Sequence, residues 1–177
     1  MTGGILNINQ GSDQFIDLSG NILISSGVMQ VTGGSRNSFW PYAANSSIEM
    51  TGGTLDFTDR GIWIPLNASY PLTVDITGGK IRTAGIFYCQ RPDFTIDGGA
   101  LELYGPDTAG LTLHPSNEIT HLVINKDTSR SGDVLLMTDV ELQGLLFVDS
   151  GILNLNGFTL TVQDEMDVSG TLTMNNV

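Results

Sequence analysis

The sequence predicts an all-β protein, a right-handed parallel β-helix (β-solenoid) with about three short strands per coil. Three observations predict it: a glycine-led alternating motif that recurs along the chain, paired glycines at coil-like intervals, and a composition poor in helix formers. The motif is Gly, any residue, apolar, polar, apolar. It appears as Gly4-Ile5-Leu6-Asn7-Ile8, Gly27-Val28-Met29-Gln30-Val31, Gly53-Thr54-Leu55-Asp56-Phe57, Gly99-Ala100-Leu101-Glu102-Leu103, Gly151-Ile152-Leu153-Asn154-Leu155 and Gly170-Thr171-Leu172-Thr173-Met174. Gly79-Lys80-Ile81-Arg82-Thr83 is a weaker copy. Alternation of this kind is the period of a strand with one buried face.

Four alternating runs end in Thr-Gly-Gly or Asp-Gly-Gly, at Gly33-Gly34, Gly52-Gly53, Gly78-Gly79 and Gly98-Gly99. A strand enters, glycines without Cβ turn a tight corner, and a second strand leaves. The second glycines, Gly34, Gly53, Gly79 and Gly99, are separated by 19, 26 and 20 residues, about one solenoid coil each, and are expected to stack along the axis. A further strand recurs as Gly61-Ile62-Trp63-Ile64, Gly85-Ile86-Phe87-Tyr88 and Gly110-Leu111-Thr112-Leu113, which completes three per coil.

Beyond residue 110 the double glycines give way to Ser150-Gly151, Asn156-Gly157 and Ser169-Gly170, turn dipeptides of the same geometric use. Residues 134–142 are the one run where a helix competes. Alternation through Val140-Glu141-Leu142-Gln143 and the break at Gly144 favour strand. An antiparallel β-sandwich would also use many short strands, but it gives no reason for the same corner to return at coil intervals. The whole chain, 1–177, is read as one solenoid segment.

Composition sets limits on function. Of 177 residues, 40% are apolar, enough for a continuous core. Nineteen acidic residues against seven basic ones give a formal charge of −12, which repels nucleic-acid phosphates and anionic lipid headgroups. No run approaches the roughly 18 apolar residues of a membrane helix. Cys89, the single cysteine, cannot form an intrachain disulfide and reads as a small core residue. His114 and His121 lack a third convergent ligand, and no calcium loop is present, so no metal and no cofactor are assigned.

The corners, together with Leu122-Val123-Ile124-Asn125-Lys126, Ser150-Gly151-Ile152-Leu153-Asn154-Leu155-Asn156-Gly157-Phe158-Thr159-Leu160-Thr161-Val162 and Ser169-Gly170-Thr171-Leu172-Thr173, resemble the repetitive β-helix surface proteins of Gram-negative bacteria, many of which end in a type IX secretion sorting domain. The resemblance is one of repeat style over nearly the whole chain. It implies export to the cell surface or beyond, and no activity. The chain stops in mid-pattern at Asn175-Asn176-Val177 without a sorting domain or polar caps, so a longer parent with neighbouring domains is expected.

A structural or adhesive role, without a catalytic residue, is therefore the expectation. The alternative is a polysaccharide lyase or hydrolase built on the fold's outer face, for which Asp56, Asp59, Arg60, Lys80, Arg82, Arg91, Asp93 and Glu102 are the candidates. Asp56, Arg82 and Glu102 each follow a column glycine by three residues and are expected to align as an exposed, charge-compensated ladder that sets register. A flat ice-binding array is disfavoured because the outward positions mix Asp, Arg, Glu, Asn and Thr. For binding, Trp40, Tyr42, Trp63 and Phe87 are the candidates: Trp63 and Phe87 are expected at equivalent places in neighbouring coils, making an aromatic strip for glycans or other surface components.

Overall fold

The computed structural model describes residues 1–10, 16–18, 20–33, 39–41, 46–59, 61–66, 72–127 and 132–174, with only the backbone described for 9–10, 16–18 and 39–41. No described residue is helical. The strands are β1 (Thr2–Gln10), β2 (Ile16–Leu18), β3 (Asn21–Ile24), β4 (Ser26–Gly33), β5 (Phe39–Pro41), β6 (Ser46–Phe57), β7 (Gly61–Ile64), β8 (Leu72–Thr83), β9 (Ile86–Cys89) and β10 (Ile96–Gly105). They continue as β11 (Ala109–Leu113), β12 (Ile119–Lys126), β13 (Asp133–Leu136), β14 (Val140–Leu142), β15 (Leu146–Ser150), β16 (Ile152–Asn154), β17 (Leu160–Val162), β18 (Met166–Val168) and β19 (Thr171–Thr173).

Every pairing among these strands is parallel, and each joins a strand to the corresponding strand of the next coil. The protein is a parallel β-solenoid, and the sandwich alternative, which needs antiparallel neighbours, is excluded. One long sheet runs β1-β4-β6-β8-β10-β12-β14-β17, with β3 beside β6 and β15 joining β12 to β18. A second runs β7-β9-β11-β13-β16-β19, and β2 pairs with β5. Each coil has three limbs. In β6 and β8 the first two limbs form one bent strand through the Gly-Gly corner, whereas in later coils they separate into β14 with β15 and β17 with β18.

Alternation sends one set of side chains inward, where like residues stack in columns at the spacing between strands. On the second limb, Met29, Leu55, Ile81, Leu101, Leu122 and Leu146 make one column, and Val31, Phe57, Thr83, Leu103, Ile124 and Val148 make the next. All are buried. On the third limb Ile62, Phe87, Leu111 and Leu136 follow the same rule. Cys89 lies fully buried beside Ile64 and Leu113, and burial pushes its thiol up to about 12, so it is an inert core residue.

The glycine column differs from the expected one at its first member. The register Val28↔Thr54 puts Gly27 beside Gly53, whereas the Gly33-Gly34 pair follows the strand pairing that ends at Val31↔Phe57. Gly34 itself lies outside the described residues. The stack is thus Gly4, Gly27, Gly53, Gly79 and Gly99. A Cβ on Gly53 would lie 2.8 Å from the Gly27 carbonyl oxygen, and one on Gly79 2.7 Å from that of Gly53. With φ of 75° and 87° at these two residues, both space and conformation demand glycine.

Candidate functional site

Outward-pointing residues of the second limb bring opposite charges together on successive coils. The registers Asp56↔Arg82 and Glu102↔Arg82 put carboxylate, guanidinium and carboxylate on three successive coils. Arg82 Nε lies 3.1 Å from Glu102 Oε2, and Arg82 Nη1 lies 3.7 Å from Asp56 Oδ2. Lys80 Nζ reaches Glu102 at 2.8 Å, while Asn125 and Gln30 donate to Glu102 and Asp56.

The carboxylates of this ladder are buried and Arg82 is half-buried, contrary to the exposed ladder expected. Asp56 and Glu102 are 5% and 3% accessible. Tyr104 explains much of the cover. Its ring lies against the Arg82 guanidinium, 4.2 Å from centroid to Cζ, and its hydroxyl donates to Asp56 Oδ1 at 2.8 Å. Burial, then the bond to Asp56, raises the Tyr104 hydroxyl above its ordinary range. Burial also pushes Glu102 upward, but the Lys80 hydrogen bond and the Arg82 charge outweigh it, and the carboxyl is held below its usual value.

The remaining lyase candidates lie elsewhere. Asp59 accepts from the Gly33 amide at 2.6 Å. Arg91 and Asp93 form their own bidentate pair in the corner after β9, where the bond to Arg91 lowers the Asp93 carboxyl. Arg60 lies outside the described residues. Both histidines accept from backbone amides: His114 Nδ1, in the corner after β11, takes that of Ser116 at 3.1 Å, and His121 Nδ1, in β12, that of Leu145 at 3.0 Å. Among the described residues no three His, Cys, Asp or Glu side chains converge as metal ligands.

The aromatic strip needs a correction of register. Gly61 pairs with Ile86, so Trp63 lies beside Tyr88, not Phe87. Phe87 is fully buried in the column with Ile62, edge-to-face against Phe94, because alternation points it inward. Trp63 is 42% exposed and meets Tyr88 edge-to-face, with ring centroids 5.5 Å apart. Ile86 is exposed on the same sheet; Met137, just past the end of β13, is also exposed, and a Cβ on Gly110 would lie 3.4 Å from its Cγ. Trp40 lies in β5, in register with Asp17, with only its backbone described; Tyr42 lies outside the described residues.

Compared with family models, with curated proteins and with solved structures, the chain gives no match.

Sequence reasoning missed Tyr88, Tyr104 and Lys126. Lys126 is fully buried, its ammonium donating to the carbonyls of Ala84, Tyr104 and Asp107 at 3.1, 2.7 and 2.9 Å. Its inward direction follows from the period of Leu122 and Ile124, the signal that could have found it. Matching the buried pairs Ile62/Ile64 and Phe87/Cys89, rather than the glycines before them, would likewise have given Tyr88.

Proposed function

We propose that the chain is a non-enzymatic structural and adhesive segment of a secreted or cell-surface bacterial protein, of the repetitive β-helix kind its repeat style resembles, and that it binds glycans through the face bearing Trp63 and Tyr88. The observation that carries the proposal is this exposed apolar face, with Trp63 and Ile86 held on a regular parallel sheet. Large rings and aliphatic chains in water gain from covering, and a tryptophan face suits the apolar face of a sugar ring. Rigid presentation keeps the ordering cost of binding small.

The lyase or hydrolase reading has less support. Such chemistry needs a base free to take a proton and a cation free to meet the developing charge. Asp56, Arg82, Lys80 and Glu102 are instead engaged with one another and with Tyr104.

Glycan arrays and affinity electrophoresis on the wild type, Trp63→Ala and Tyr88→Ala test the proposal. Retention of at least one saccharide by the wild type and its loss in Trp63→Ala is expected. Absence of saccharide binding, or binding unchanged in both variants, would remove the Trp63 face as an adhesive surface. Release of unsaturated products from an acidic polysaccharide, abolished by Arg82→Ala, would replace the adhesive reading with the enzymatic one.

A further inference from the structure

The corners that lead from the third limb back to the first are unequal in length. They comprise residues 114–118 between β11 and β12, residues 137–139 between β13 and β14, and residues 155–159 between β16 and β17. The middle corner is the shortest of the three successive coils, so its neighbours overhang it. A groove of about 640 Å³ lies there, within the size range of small-ligand sites.

The lining gives the groove a definite chemistry. Leu113 and Val140 are buried at its base, while Phe158 presents a ring that is 37% exposed. Glu118, Asp139 and Glu141 bring carboxylates and Gln143 an amide. Asp139 is fixed by the Thr159 amide at 2.7 Å and keeps further acceptor capacity. His114 Nδ1 accepts from the Ser116 amide, so the neutral ring carries its proton on Nε2 and can donate to a ligand.

We infer that this corner groove is a second binding site, whose ligand is a neutral saccharide. Fixed carboxylates accept from sugar hydroxyls, His114 and Gln143 donate, and Phe158 covers an apolar sugar face. Acidic sugars are repelled by Asp139 and Glu141 and by the chain's net charge of −12. A divalent cation is disfavoured because, although His114, Glu118, Asp139 and Glu141 share the lining, no three acidic or histidine side chains among the described residues are placed to hold one ion. The inference shares its ligand class with the adhesive reading and none of its residues.

Isothermal titration of the full chain with neutral gluco-, manno- and xylo-oligosaccharides, with oligogalacturonate and with Ca²⁺ tests it. At least one neutral oligosaccharide should bind, with affinity reduced about tenfold in Phe158→Ala and in Gln143→Ala by loss of one stacking or hydrogen-bonding contact, and unchanged in Trp63→Ala. Amide NMR spectra of the variants establish that they fold. No binding of any neutral oligosaccharide would overturn the inference, as would binding of oligogalacturonate or Ca²⁺ alone. Binding lost in Trp63→Ala and kept in Phe158→Ala would also overturn it, while leaving the Trp63 face as the adhesive surface.

Discussion

Thr83 occupies an inward position between Phe57 and Leu103, fully buried, and its hydroxyl has no hydrogen-bond partner. Every other resident of that column from Val31 to Val148 is apolar. Thr83→Val keeps the β-branched shape that suits a strand and exchanges an unpaired hydroxyl for a methyl. An unpaired buried hydroxyl costs on the order of 1 to 3 kcal/mol, and the added methyl contributes up to ~0.8 kcal/mol of apolar burial. A gain of about 2 kcal/mol is expected. For a chain of this length that is a rise of roughly 4 to 8 °C in Tm, or near 1 M in urea midpoint. Urea titration followed by circular dichroism measures it, with the exposed Thr51→Val as a control expected to stay within about 0.5 kcal/mol of wild type. An unchanged or lower midpoint at constant m for Thr83→Val would refute the reasoning and place an ordered partner, such as a buried water, on the hydroxyl.

Two further outcomes follow from the charged groups. Arg82→Ala removes a partner from two buried carboxylates and should cost about 2 kcal/mol at pH 7, more than a surface pair is worth. Because the Glu102 carboxyl is held below its ordinary value of 4.5, its contribution is present above that pH and is lost as pH falls through the lowered value. The difference between urea melts of wild type and variant should therefore shrink as pH is lowered from 7 through the acid range; a cost under ~0.5 kcal/mol at pH 7 would show the ladder to be screened like an exposed pair. For Lys126, burial lowers the ammonium from 10.5 to about 8 against the opposing charge of Asp107. Between those values the unfolded chain holds a proton that the folded one has released, so wild-type stability relative to Lys126→Met should rise with pH across this window, by on the order of 3 kcal/mol. A falling difference would mean that the three carbonyl bonds outweigh desolvation.

Strand period, parallel coils, and the inward set Leu55, Phe57, Ile81, Leu101 and Leu103 were legible in the amino-acid sequence, because burial of alternate residues leaves a local pattern that needs no knowledge of neighbours. So was the alignment of Asp56, Arg82 and Glu102, since each keeps a fixed offset from a glycine whose missing Cβ makes room for the carbonyl below. Tertiary structure alone decided what depends on distances across coils. Gly27 takes the place expected of Gly34, and Tyr88 that expected of Phe87, because buried columns rather than glycines fix register where the two disagree. The ladder's carboxylates are buried while Arg82 stays half-buried, and Tyr104 helps to cover them by reaching Asp56, a residue 48 positions earlier, across the coil between them. The groove at residues 137–139 exists because a short corner falls between two longer ones. Such a recess belongs to the stacking of coils, and no single coil's sequence contains it.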